Sequence, residues 1–210
     1  MSLLLLRHGE SEGNRNRLIH GWLEYPLTPL GREQAEMSGR YLAGLDVTML
    51  YSSSLRRARE TADLVAKHTG HDIIELPDLG EYHFGEAEGL SWDEARDRWG
   101  LEGRDWGRGQ VPGEEGMRGF RSRVAHQIDE LLNRHVNDTA ICVVHGGVIG
   151  AIVAWVCDLP DEQYAQIFTA NCGISIIVKT SDDWPSIRLL NEVCHLRDLG
   201  EVQKEPWLSQ

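Results

Sequence analysis

Apolar positions along the chain fall into two rhythms. Short runs rich in branched aliphatic residues occur at LLLLRH (3–8), VTMLYSS (47–53), IIEL (73–76), AICVVHG (140–146), ISIIVKT (174–180) and SIRLLNEV (186–193). Each reads as a strand, and the first is apolar without alternation, as a strand covered on both faces must be. Between the runs, longer stretches repeat with helical spacing. Thr28 followed by Pro29 predicts an N-cap with proline at the first helical position, ahead of LGREQAEMSGRYLAG (30–44). Ser54 is the expected cap of LRRARETADLVAKH (55–68), where Leu55, Ala58, Ala62 and Val65 share one face. Residues 114–135 and 147–157 predict two further helices, the second apolar on nearly every side and therefore buried. Strand and helix in alternation predict an α/β fold, a mostly parallel sheet with helices on both faces. One domain over residues 1–210 is expected, with an irregular surface excursion at 99–119, where glycine, tryptophan and arginine crowd together.

A secretory segment needs roughly 7–15 apolar residues behind a basic flank. Four leucines followed at once by Arg7-His8-Gly9-Glu10 are a strand instead. No run approaches the ~18 apolar residues of a membrane span, so a soluble, cytoplasmic protein is expected, with no membrane partner. A formal charge of -12 argues against nucleic acid, which is bound by neutralising phosphates with a basic surface. Of the 21 basic residues, all but Lys67, Lys179 and Lys204 are arginine, whose planar fork suits carboxylate and phosphate. Cys142, Cys157, Cys172 and Cys194 form no CxxC pair and read as free thiols.

In such sheets ligands bind beyond the carboxyl ends of the strands. Those ends carry Arg7-His8, then Ser52 to Arg57, then Glu81 past the third run, then His145. Gly9 permits a close backbone approach, Asn14 offers an amide donor, and Arg57 falls in the first turn of its helix, where free N–H groups point outward. Taken singly, each has a plain structural role: a strand-end histidine is usually a satisfied polar group, Glu81 a surface carboxylate, and Arg56, Arg57 and Arg59 a solvated helix face. Their coincidence at successive strand ends points to a site. Two guanidinium forks suit a phosphate dianion, a histidine beside it can attack phosphorus, and a carboxylic acid can protonate the leaving oxygen.

Arg7-His8-Gly9-Glu10-Ser11 with Asn14 resembles the RHG-x-S-x-x-N signature of the histidine phosphatase superfamily, the phosphoglycerate-mutase-like proteins. GWLEYPLTPLGREQA (21–35), SSSLRRARETA (52–62), GEYHFGEAEGL (80–90) and VVHGGVIGAI (143–152) resemble its further blocks in the expected order. The resemblance implies a three-layer α/β/α sandwich and a reaction that needs neither metal nor cofactor. It implies that His8 becomes phosphohistidine and that Glu81 is the proton donor. Arg7, Asn14, Arg57 and His145 would hold the phosphoryl group, with Ser11 and Gly146 lining the same pocket. The substrate would be a small phosphorylated metabolite; oligomeric state stays open, a homodimer included. Within the family, EYHFG is similar to the acid segment of cofactor-dependent mutases, whereas EAEGL is similar to the phosphatase branch. Residues 90–119 hold no lysine and no Arg-Arg pair, unlike the mutases' basic insert, and Arg96, Arg104 and Arg108 read as surface residues. PGEEG (112–116) stands where phosphatases often show PGGES. A phosphomonoester hydrolase is the leading reading; a mutase, a metal-dependent hydrolase using His8 and His145, and a non-catalytic phosphate binder are the alternatives.

Overall fold

The computed structural model describes residues 2–102, 106–134, 138–160, 167–179 and 184–199. In chain order its elements are β1 (Ser2–Arg7), α1 (Glu12–Arg15), α2 (Pro29–Leu42), β2 (Met49–Ser52), α3 (Arg56–Thr69), β3 (Ile73–Glu75), α4 (Trp92–Trp99), α5 (Met117–Arg134), β4 (Thr139–Val144), α6 (Gly146–Val156), β5 (Ile174–Lys179) and β6 (Pro185–Glu192). The six strands form one sheet in the order β3-β2-β4-β1-β5-β6. β1 to β4 run parallel to one another, and β5 and β6 add an antiparallel edge. Side chains alternate across the sheet. Leu3 and Leu5 of β1 pack with Phe120, Val124 and Ile128 of α5 and Val148, Ile149 and Ile152 of α6. Leu4 and Leu6 face the other way, onto Ala35 and Leu42 of α2 and Ala58, Ala62 and Val65 of α3. The unbroken leucine run is therefore the centre of an α/β/α sandwich.

Local differences from the sequence reading have physical causes. Thr28 caps α2 as expected, its hydroxyl accepting from Gly31 N at 3.0 Å. α3 is not capped by Ser54: Leu55 is the N-cap, and the Arg56 N–H donates to the Glu24 carboxylate at 2.7 Å. A remote acid replaces the local hydroxyl. α4 was not expected, although Ser91 and Glu94 form a reciprocal capping box there. Leu101, Val111 and Trp106 join Ile19, Ala87 and Ala95 in a small satellite core, while residues 103–105 lie outside the described residues. Among the described residues no helix is long and apolar enough to cross a membrane.

Candidate active site

β1 and β4 are neighbours in register, with Arg7 opposite Val144. The ladder continues one step further, His8 N donating to Val144 O at 2.9 Å. His8 and His145 consequently leave the sheet side by side, with ring centroids 5.2 Å apart. His8 is buried, and its Nδ1 lies 2.7 Å from Gly9 O. A carbonyl can only accept, so Nδ1 carries the proton and Nε2 keeps its lone pair. Arg57 Nε donates to that same Nε2 at 3.2 Å. Burial lowers the His8 pKa well below its ordinary value, and the charges of Arg57 and Arg7 lower it further. The ring is thus a neutral imidazole of defined tautomer. Gly9 is needed for a reason other than ligand approach: a Cβ there would stand 2.4 Å from Gly31 O, where α2 begins.

Arg57, only 1% exposed, sits in the first turn of α3. It is anchored by Gly21 O at 2.9 Å and Leu23 O at 3.2 Å. Burial lowers its pKa to about 10, with Glu81 foremost among the carboxylates opposing the shift, so it stays charged at neutral pH. Arg56 beside it is exposed and pairs with Glu60 at 2.8 Å. Arg7 donates through Nη1 to Thr169 O. His145 Nε2 bonds Ser53 Oγ at 2.8 Å, which leaves Nδ1 buried without a protein partner. Burial, then Arg57, His8 and Arg7, lower the His145 pKa well below the ordinary value.

Glu81 does not emerge from a strand. β3 is a short edge strand, three positions from β1, so the chain returns through a 3-10 turn at Pro77–Leu79. Arg123 holds this return, donating to Asp78 O and Gly80 O at 2.8 Å and to Glu81 O at 2.9 Å while Glu115 grips its guanidinium. The Glu81 carboxylate then accepts from Tyr82 N at 2.8 Å and from Gly147 N at 2.9 Å, in the first turn of α6. A Cβ at Gly147 would stand 2.2 Å from Glu81 Oε1, so the carboxylate keeps this seat only beside a glycine. The loop PGEEG replaces its missing serine with structural carboxylates. Glu114 accepts from Tyr82 Oη at 2.8 Å and Gly107 N at 3.1 Å, and Glu115 from His83 N at 3.3 Å.

Ser11 and Asn14 form a capping box at the start of α1. Asn14 Oδ1 accepts from Ser11 N at 3.1 Å, Ser11 Oγ at 3.0 Å and Asn171 Nδ2 at 3.3 Å, which points its Nδ2 donor away from these bonds. Ser11 is buried, and its hydroxyl donates to Asn14 Oδ1. Gly146 opens α6 beside Arg7, with room for a Cβ at 3.6 Å from Arg7 Nε. Three residues outside the expected set stand here. Asn171 holds His8 O at 3.0 Å, and Thr169 Oγ1 and His20 Nε2 are buried without partners. Burial, then the Arg57 charge, lower the His20 pKa to about 4. Together with His145 Nδ1 these are orphans that a bound oxyanion can satisfy. Arg96 pairs with Asp93, and Arg104 lies outside the described residues. No group of three or more metal-ligating side chains occurs among the described residues.

A neutral, oriented imidazole under the charges of Arg57 and Arg7 and a carboxylate seated on the first turn of α6 are thus built around the carboxyl ends of β1 and β4. The family model of the histidine phosphatase superfamily (branch 1) matches residues 3–193, and the chain belongs to that superfamily. Among curated relatives, a probable phosphoglycerate mutase GpmB of Photorhabdus laumondii is 30% identical over 216 residues, 97% of this chain and 100% of the relative. A putative phosphoserine phosphatase 2 of Hydrogenobacter thermophilus is 31% identical over 201 residues, 94% of this chain and 98% of its own. The solved structure of Bacillus stearothermophilus YhfR has a TM-score of 0.83 at 28% identity, covering 93% of this chain and 98% of that one.

Proposed function

We propose that the chain hydrolyses the phosphomonoester of a small metabolite through a phosphohistidine on His8, with no metal ion. The observation that carries this reading is the tautomer of His8, whose lone pair on Nε2 shares a buried space with Arg57 and Arg7. His8 Nε2 attacks phosphorus, the bond to the alcohol oxygen breaks, and protonated Glu81 gives its proton to that oxygen. Water then attacks the phosphohistidine, its proton passes to the Glu81 carboxylate, the P–N bond breaks and phosphate leaves. Arg7, Arg57 and His145 hold the phosphoryl oxygens through both steps, with Asn14 donating from Nδ2.

Hydrolysis rather than transfer is supported by the charges of residues 90–119. Arg96 pairs with Asp93, and Arg98 lies 3.6 Å from Glu86, so neither is a spare grip for a second phosphate. The name of the Photorhabdus relative favours a second reading, a phosphoglycerate mutase. A screen of phosphorylated metabolites for phosphate release, with EDTA present, tests the proposal. Release with EDTA supports it, and activity lost to EDTA overturns the metal-free mechanism. Supplying 3-phosphoglycerate with and without 2,3-bisphosphoglycerate separates the two readings. Isomerisation that requires the bisphosphate and frees little phosphate identifies a mutase.

A further inference from the structure

The alcohol side of the substrate must leave the phosphate pocket toward Glu81, because that is the group proposed to protonate its oxygen. The structure puts a particular surface along that path. Gly21 and Leu23 spend their carbonyls on Arg57. Trp22, between them, turns its indole outward, 49% exposed, and donates through Nε1 to Glu81 O at 2.7 Å. His83 meets the indole edge-on at 5.0 Å and is fixed by its own bond to Gly113 O at 3.0 Å. Leu23 is 37% exposed beside it. Next to the other anchor, where Thr169 O receives Arg7, Phe168 is 69% exposed. Large apolar side chains thus stand next in sequence to the anchors of both phosphate-binding arginines, and Trp22 bridges the phosphate grip and the acid.

The charges nearby are of one sign. HGWLEY (20–25), EYHFGEAE (81–88) and IFTAN (167–171) contain no lysine or arginine, while Glu24, Glu81, Glu86 and Glu88 lie within them. His20 and His83 are their only basic side chains. Three arginines of neighbouring segments already hold carboxylates of the protein: Arg56 pairs with Glu60, Arg123 with Glu115, and Arg15 with Glu12. Glu88 is itself turned inward, accepting from Trp22 N at 2.9 Å and Phe84 N at 3.1 Å. A carboxylate or second phosphate on the substrate would meet these carboxylates and apolar rings, and no lysine or arginine of these three segments to bind it.

We propose that Trp22 is a specificity-determining residue, and that the substrates are monophosphates of flat, apolar alcohols carrying no second anion. This rests on the phosphohydrolase reading for the direction of the leaving group. The aromatic face supplies area at little conformational cost, as a fixed ring loses few rotamers on binding.

The test uses 2-naphthyl phosphate, methyl phosphate and 3-phosphoglycerate. Calorimetric binding to His8→Ala, which cannot turn over, should give a Kd for the naphthyl ester at least about tenfold below that for 3-phosphoglycerate, or about 1.4 kcal/mol. In the active enzyme, Trp22→Ala should lower the naphthyl-to-methyl ratio of kcat/KM about tenfold, through KM of the naphthyl ester. Trp22→Phe, which keeps a ring but loses the Nε1 donor, should keep most of that ratio. Equal or tighter binding of 3-phosphoglycerate to His8→Ala overturns the proposal, as does a ratio unmoved by Trp22→Ala. Apolar-ester binding to His8→Ala with no phosphate release by the wild type supports the rim and overturns only the hydrolase reading.

Discussion

His20 offers a quantitative check on the electrostatics of the pocket. Its imidazole lies against Gly13 and stacks obliquely on Tyr25 at 5.5 Å. Burial lowers its pKa from 6.5 to about 4, the Arg57 and Arg7 charges add to the shift, and the Gly13 backbone opposes it. His8 and His145, whose imidazoles interact with it electrostatically, are depressed in the same way. The sign follows from proton counting. Below pH 6.5 the unfolded chain takes up a proton that the folded chain refuses until about pH 4. Stability present above 6.5 is therefore lost as pH falls through this window. Between pH 7 and 5 the unfolded His20 gains most of one proton over about 1.5 pH units, worth about 2 kcal/mol. His20→Gln cannot titrate, so its loss of unfolding free energy between pH 7 and 5 should be about 2 kcal/mol smaller than that of the wild type. Urea titrations at the two pH values measure both losses, in phosphate-free buffer, since a dianion between the arginines would raise the histidine. Equal losses in the two proteins would refute the account and place His20 in contact with solvent.

His8→Ala should abolish turnover, and brief incubation with a labelled ester should leave acid-labile label on the wild type only; label on the alanine variant removes His8 as nucleophile. Glu81→Gln should slow alkyl phosphates by about 10²–10⁴-fold. It should spare p-nitrophenyl phosphate, whose leaving group needs little protonation, and equal losses on both would make Glu81 structural. Gly147→Ala should push the Glu81 carboxylate from its seat and reproduce that selective loss while phosphate inhibition stays near the wild-type level; unchanged alkyl phosphatase activity would mean that the seat is not used. Glu115→Gln weakens the hold on Arg123, which fixes Glu81 O, and should lower kcat for alkyl esters with little change in KM; a change confined to KM would contradict this.

Periodicity made the sheet, its covered faces and the main helices legible, because the apolar run of β1 and the one-sided stripe of α3 depend on nearest-neighbour spacing alone. The elements that escaped are set by partners distant in sequence. Nothing near Ser54 signals that Glu24 will cap α3, thirty-two positions from Arg56. α4 was readable from Ser91 and Glu94, yet its composition is too polar to show an apolar stripe; Ala95 is its sole buried residue. Glu81 was visible as a residue but not as a position, since its seat depends on Arg123 and Gly147. A lone His20 before a glycine carries no local mark, and its unpartnered Nε2 becomes informative only once Arg57 and His8 are seen beside it.

The pairing of the two central histidines follows from strand register rather than from either residue. With Leu5 opposite Cys142 and Arg7 opposite Val144, the residues just past the ladder are His8 and His145. A slip by one residue would send Leu3 and Leu5 to the α2–α3 face and Leu4 and Leu6 to the α5–α6 face. It would also move His8 one position past His145 and break the bond from His8 N to Val144 O. Leu3, Leu5 and Leu6 are fully buried in their separate clusters, so the slip would disturb both cores at once. The same packing that buries the leucines therefore holds the imidazoles 5.2 Å apart, and the site inherits the precision of the core.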